Sequence, residues 1–301
     1  MNRTSIDKLV EKFETPDFIK DDPVQFPHRF SKKQDIEVSG FISAAFAYGK
    51  REKIVENLHF IHKILGDSPC EFVLKFDPKR DMKLFKGFSY RYSGEKDILC
   101  LLQVLGQALK KYDSLENAFL EGFSKDDKNV REGLVNFANL LRVQLTCEAA
   151  SSNEILRSEA GVAKTETAFP FFATHSRHAS PYLAAQNDGC GEVCEKSFKY
   201  LVSSPENGSA CKKLNLFLKW MVRKPPVDLG IWQKVPASKL IIPLDVHVAR
   251  VSMLWGLTDR KSNDWKKAEE ITENLKKFDP EDPAKYDFAI FGAGITGLYK
   301  K

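Results

Sequence analysis

The chain has 301 residues, 43% of them hydrophobic and 29% charged, with a formal net charge of +5. This length fits one large domain or two small lobes, and the apolar fraction is enough for a packed core. No apolar run approaches the ~20 residues of a membrane-spanning helix, and the amphipathic start MNRTSIDKLVEKF lacks the apolar stretch of a signal peptide. The expectation is a soluble, cytoplasmic protein with no membrane partner, whose mildly basic charge permits nucleic acid as a partner without demanding it.

Helical periodicity dominates. Apolar positions recur at helical spacing over 34–48, where Gly49 offers a stop, and over 52–65 at Ile54, Leu58, Ile61 and Leu65. The stretches 96–110 and 126–146 have the same character, and Ser114, with Glu116 and Asn117, opens a short helix before Gly122. No run of alternating β-branched residues separated by tight turns occurs, so the expected class is all-α without a large sheet. The segment 151–190 is rich in Ser, Thr, Ala, Gly and His and reads as an irregular connection between two helical lobes, about 30–150 and 191–301, of a single domain spanning 1–301. Its Arg177, His178 and Tyr182 could touch a ligand.

Residues 210–223, ACKKLNLFLKWMVR, set Leu214, Phe217, Leu218 and Met221 on one face and Lys212, Lys213, Lys219 and Arg223 on the rest, predicting a helix apolar inside and basic outside. Pro225 and Pro226 end it. After an irregular stretch Asp245 opens a helix that Gly256 stops, Asn263 or Asp264 caps another through Lys277, and a last helix covers roughly 282–297.

Six cysteines, at 70, 100, 147, 190, 194 and 211, are scattered mostly through apolar helical surroundings, as reduced thiols would be. Cys190 and Cys194 form an isolated C-x3-C, which His175 and His178 complete only loosely, so neither a metal nor a cofactor is expected.

Two local features bear on chemistry. The first, SSPENGSACKK at 203–213, joins a helix at about 191–203 to one starting near 210 through a turn containing Pro205 and Gly208. Such a turn exposes the free amides of the next helix N-terminus, an anion site suited to a DNA phosphate. Lys212 and Lys213 fall in the first turn of that helix, where the positive dipole end disfavours a protonated amine and brings a neutral nucleophile within reach. Taken alone, the same residues are also an ordinary connector with solvated lysines. The second feature, IIPLDVHVARV at 241–251, delivers Asp245 to a helix start, flanked by His247 and Arg250. Its ordinary role is an N-cap. Its functional one is a carboxylate that stabilises positive charge on a sugar or deprotonates a nucleophile.

PLDVHVARV resembles the aspartate segment of the helix-hairpin-helix, Gly/Pro-rich-loop, aspartate superfamily of DNA glycosylases, with Asp245, His247, Val248 and Arg250 in matching places. SSPENGSACKK occupies the slot of that superfamily's hairpin, and Lys212 or Lys213 the slot of the lysine carried by its bifunctional members. GFISAAFAYGKR looks like the superfamily's early helix, whose end, here Tyr48, Gly49, Lys50 and Arg51, lies near the DNA. The hairpin departs from the usual Leu-Pro-Gly-Val-Gly form. The spacing from the lysines to Asp245 is nearer to that of archaeal 8-oxoguanine DNA glycosylases than to that of endonuclease III, whose iron–sulfur cysteines have no counterpart after Asp245. Over nearly its whole length the chain resembles more closely a bacterial family of unknown function (domain of unknown function 2400 type), through EVSGFISAAFAYG, SPENGSACKKLNLFLKWMVR, IIPLDVHVARV and DPAKYDFAIFGAGI.

The glycosylase resemblance implies a two-lobed helix-hairpin-helix fold with an irregular insertion, acting on double-stranded DNA that carries a damaged base, an oxidised purine being the nearest lesion class. It implies base excision, with or without AP-lyase strand nicking, and no obligate protein partner. Asp245 would carry the chemistry with Lys212, preferred for the Leu214, Leu216 and Phe217 that follow it, or with Lys213. Tyr48, Lys50, Arg51, Pro205, Gly208, Ser209, His247 and Arg250 would contact DNA. Phe88, Tyr90, Trp220 and Trp232 are candidates to stack on an extruded base, although such residues more often pack a core. The competing readings are a non-catalytic nucleic-acid-binding protein on the same fold and a helical scaffold for a protein partner.

Overall fold

The computed structural model describes residues 2–142 and 198–298. The segment 151–190 with Arg177, His178 and Tyr182, the cysteines 147, 190 and 194, His175, and the ends 143–146 and 191–197 of two predicted helices lie outside the described residues.

Among the described residues the helices are α1 (Arg3–Phe13), α2 (Pro16–Ile19), α3 (Lys33–Ala45), α4 (Arg51–Leu65), α5 (Pro69–Lys75), α6 (Pro78–Asp81), α7 (Glu95–Tyr112), α8 (Leu115–Leu120), α9 (131–142), α10 (198–201), α11 (Lys212–Val222), α12 (Val246–Leu254), α13 (Trp265–Lys276) and α14 (Tyr286–Thr296). The one sheet among them is an antiparallel hairpin of β1 (Ser89–Tyr90) and β2 (Ser93–Gly94). The class is all-α, as the periodicity predicts. No described helix is long and apolar enough to cross a membrane.

Capping chemistry sets the helix ends. Ser114 Oγ accepts from the Asn117 amide (3.1 Å) to open α8, and Asp264, rather than Asn263, accepts from the Lys267 amide (2.8 Å) to open α13. Gly66 and Gly256 follow α4 and α12 at φ +68° and +69°. The short helices α2, α5 and α6 each begin at a proline, whose missing N–H costs nothing in a first turn. They span too few turns to produce a periodic signal.

α3 is central: every residue from Asp35 to Ala45 is buried, so it is covered on all sides. Its acidic groups cap its neighbours. Asp35 Oδ1 accepts from the Cys70 amide (2.9 Å) at the start of α5. Glu37 accepts from the amides of Leu115 (2.9 Å) and Glu116 (3.2 Å) at the start of α8 and from Trp232 Nε1 (2.7 Å). These bonds satisfy N–H groups that burial would otherwise leave unpaired.

α11 packs on α3, with Phe217 edge-on to Phe41 at 5.1 Å. Here the sequence expectation needs correction. α11 is not basic outside, because Lys213, Lys219 and Arg223 are 8%, 2% and 5% exposed. The side of α11 turned away from α3 is covered by the chain's two ends. Lys219 Nζ lies 3.4 Å from both Asp228 Oδ1 and Asp287 Oδ2, and Arg223 pairs with Asp228, with Glu14 (2.9 Å) and with Asp282 (2.9 Å). A basic stripe reads as a solvated face only when its acidic partners cannot be seen, and here Asp228 comes from the loop after the helix and Glu14, Asp282 and Asp287 from distant segments.

The N-terminal segment completes the half of the protein that follows α10. α1 lies along α14, and Phe18 sets its ring edge-on to Phe288 (5.4 Å) and Phe291 (6.3 Å). The hydrophobic core is one continuous cluster that includes Ile6, Phe41, Leu105, Phe217, Val251 and Ala293.

Candidate functional site

A cleft of about 830 Å³ lies where the N-termini of α4, α11 and α12 come together, and its wall includes Arg51, Lys212, Lys213, Asp245 and His247. Neither Lys50, at the N-cap of α4, nor Cys211, at that of α11, caps its helix through a side chain, so the first amides of both helices keep their positive end toward the cleft.

Asp245 is the N-cap of α12. Its Oδ1 accepts from the amides of His247 (2.8 Å) and Val248 (2.8 Å), and the residue is half-buried. The cap fixes the carboxylate at the cleft wall by two backbone bonds, so capping and presentation to a ligand are one arrangement. His247 sits edge-on to Phe291 (5.8 Å), and its buried Nδ1 has no hydrogen-bond partner.

The two lysines differ. Lys212 is half-buried and its amine donates to the Ala47 carbonyl (2.7 Å). Lys213 is buried, donates to the Tyr200 carbonyl (2.8 Å), and lies over the rings of Tyr200 (3.7 Å to the centroid) and Tyr48 (4.3 Å). Among the described residues no carboxylate pairs with it. Burial, reinforced by the neighbouring Lys212 charge, brings the Lys213 amine down to about 7. Cation–π attraction to the two rings works the other way. Lys213 therefore holds a substantial neutral, nucleophilic fraction near neutral pH.

Tyr48 is held in place by a bond from its hydroxyl to Ser93 Oγ (2.9 Å), and burial pushes its phenol up to about 12. Lys50 is exposed at the cleft rim, and Arg51 lies within 5.9 Å of both the Phe18 and Phe291 rings. The cleft thus gathers Asp245, Lys212, Lys213, Tyr48, Lys50, Arg51 and His247.

The remaining predicted contacts fall outside its lining. Pro205 is buried in the 3-10 turn Pro205–Asn207 and presents nothing to a ligand. Gly208 is exposed, but its carbonyl accepts from the Trp265 amide (3.0 Å), and Ser209 Oγ accepts from the Cys211 amide (3.2 Å), so the turn before α11 is tied to the start of α13 and to itself. Arg250 is exposed and donates to the Gly294 carbonyl (3.3 Å). Phe88, Tyr90, Trp220 and Trp232 are 6%, 5%, 2% and 1% exposed, which fits core packing. Of these four, Trp220 alone contributes to the cleft wall.

The sequence reading missed Tyr200, Lys219, Asp22 and Asp287, all of which line the cleft. Burial holds Asp287 up to about 6, with Lys219 opposing the shift and the Asp245 charge adding to it; burial likewise raises the Asp22 carboxyl. Asp287 had a visible signal, as the one carboxylate in the otherwise apolar run YDFAIFGAGI. Tyr200 and Asp22 had none. Among the described residues, no group of three or more His, Cys, Asp or Glu is arranged to hold a metal ion.

No curated protein and no solved structure matches the chain. A family model does match, over residues 22–169 and 173–296, and it includes α3, α11, Asp245 and Asp287. By that match the chain belongs to the DUF2400 family of proteins of unknown function.

Proposed function

We propose that this protein is a DNA base-excision glycosylase with AP-lyase capacity, built as a two-lobed helix-hairpin-helix fold, in which Lys213 is the nucleophile and Asp245 the supporting carboxylate. The observation that carries the reading is that an amine with a pKa of about 7 and a backbone-anchored carboxylate line the same cleft. A damaged nucleotide turned out of the duplex would enter this cleft, with Lys50, Arg51 and the uncapped starts of α4 and α11 receiving the flanking phosphates. The neutral Lys213 amine attacks the sugar C1′, the glycosidic bond breaks, and the base leaves with the bonding electrons. Asp245 stabilises the positive charge that develops on the sugar. Loss of the attached nitrogen's proton and opening of the C1′–O4′ bond, with O4′ taking up a proton, then give a Schiff base that permits strand nicking by β-elimination. Since burial already leaves about half of the Lys213 amine deprotonated near neutral pH, Asp245 is needed for charge stabilisation more than for removing a proton.

The test is borohydride trapping on a panel of lesion-containing and abasic duplexes. The expected result is a covalent adduct that Lys213→Gln abolishes. Absence of both adduct and base release over the whole panel overturns the reading in favour of a non-catalytic binding protein or scaffold.

A further inference from the structure

We propose that the β1–β2 hairpin is a wedge that opens duplex DNA, with Tyr92 entering the base stack beside the nucleotide that turns into the cleft. The inference rests on the glycosylase reading above.

The pairing of Tyr90 with Ser93 leaves a two-residue turn of Arg91 and Tyr92. Turns of this kind need a left-handed residue, a place where Gly or Asn is favoured. Here Arg91 occupies it at φ +53°. A bulky side chain kept at an unfavourable backbone position is the sort of strain that functional sites retain. Tyr92 is 67% exposed, the most exposed aromatic side chain among the described residues.

The tip is exposed, but its base is anchored. Tyr90 is buried and its hydroxyl donates to the Tyr48 carbonyl, while the Tyr48 hydroxyl bonds Ser93 Oγ (2.9 Å), so both strands are tied to one cleft residue. Gly49 makes room for the tip, since a Cβ there would come within 3.0 Å of Arg91 Cδ. The Tyr92 ring meets Tyr200 edge-on at 5.5 Å, Tyr200 meets Tyr48 at 5.2 Å, and the Lys213 amine lies over both of these inner rings. The exposed ring is therefore one aromatic contact from a ring that holds the amine.

A rigid aromatic side chain beside a cation has what a wedge needs. The ring stacks on any base and fills the gap left by an extruded neighbour, and the guanidinium meets a phosphate. Single-stranded DNA has no stack to open, so the wedge is needed only on duplex.

The test compares the full chain with Tyr92→Ser and Tyr92→Phe on aldehydic abasic-site DNA, single-stranded and duplex, with 2-aminopurine flanking the site. Trapping rate and 2-aminopurine fluorescence are the readouts. The wedge predicts that Tyr92→Ser traps single-stranded DNA within about twofold of wild type. On duplex its trapping should fall at least tenfold and its fluorescence rise should disappear, with Tyr92→Phe restoring both. Equal activity of Tyr92→Ser on duplex overturns the wedge, as does an equal loss on both substrates, which would make Tyr92 part of the cleft wall. A wild type that traps nothing yet raises fluorescence through Tyr92 keeps the wedge and overturns the glycosylase chemistry. One that does neither overturns both.

Discussion

The Lys213 amine lies 3.7 Å above the Tyr200 ring and donates to the carbonyl of that same residue, so one tyrosine covers it and accepts from it. Among the described residues no anion pairs with it to offset its burial. Amine-dependent chemistry should accordingly rise as pH passes through about 7 and level off above it. Lys213→Gln should lower borohydride trapping at least a hundredfold and Lys212→Gln less than about tenfold. The reverse ranking would move the nucleophile to Lys212.

The same burial affects stability. The folded amine titrates near 7 and the unfolded one near 10.5. Below pH 7 both states are protonated and the folded state bears the full desolvation penalty. Between 7 and 10.5 the unfolded chain holds a proton that the folded chain lacks, so stability rises with pH, and above that window the penalty is gone. Lys213→Met should therefore exceed wild type at pH 6 by on the order of 1–4 kcal/mol, with the gap closing toward pH 10. Urea unfolding across that range checks it.

Capping and catalysis at Asp245 can be separated by two substitutions. Asn keeps a side-chain acceptor for the His247 and Val248 amides, so Asp245→Asn should change stability by less than about 0.5 kcal/mol while removing turnover and leaving DNA binding intact. Asp245→Ala should lose turnover and also about 1 kcal/mol of stability. Thermal unfolding alongside a base-release assay distinguishes them.

Asp228 is fully buried and receives both Lys219 and Arg223. Burial alone would lower the Arg223 pKa, but Asp228, Asp282 and Glu14 together outweigh it and hold it above its ordinary value. Asp228→Ala leaves two buried cations short of a partner and should cost on the order of 3–5 kcal/mol, read as a lower urea midpoint.

Gly106 marks the closest approach of α7 to α5. A Cβ there would stand 2.2 Å from the Val73 carbonyl oxygen, a backbone atom that cannot move aside. Gly106→Ala should destabilise the fold by roughly 1–3 kcal/mol despite the better helix propensity of alanine. An unchanged melting temperature would show that the two helices can separate without cost.

The sequence by itself determined the long helices α3, α4, α7, α11, α13 and α14, the caps at Ser114 and Asp245, and the all-α class, because these depend on residues within one or two turns of each other. Local motifs that resemble a known arrangement also singled out Tyr48, Lys50, Arg51, Lys212, Lys213, Asp245 and His247, which line the cleft, together with Pro205, Gly208, Ser209 and Arg250, which do not. Only the tertiary structure decided how the two lysines differ. Lys212 and Lys213 are adjacent on one helix, with the same local dipole and the same charge. What separates them is that Tyr48 and Tyr200, 152 positions apart in the chain, close over one amine and leave the other half-buried. The same holds for the basic stripe of α11, which looked solvated until Glu14, Asp228, Asp282 and Asp287 arrived from the chain's ends and the loop after the helix. Desolvation and charge pairing depend on what surrounds a side chain in space, and periodicity reports only what precedes and follows it.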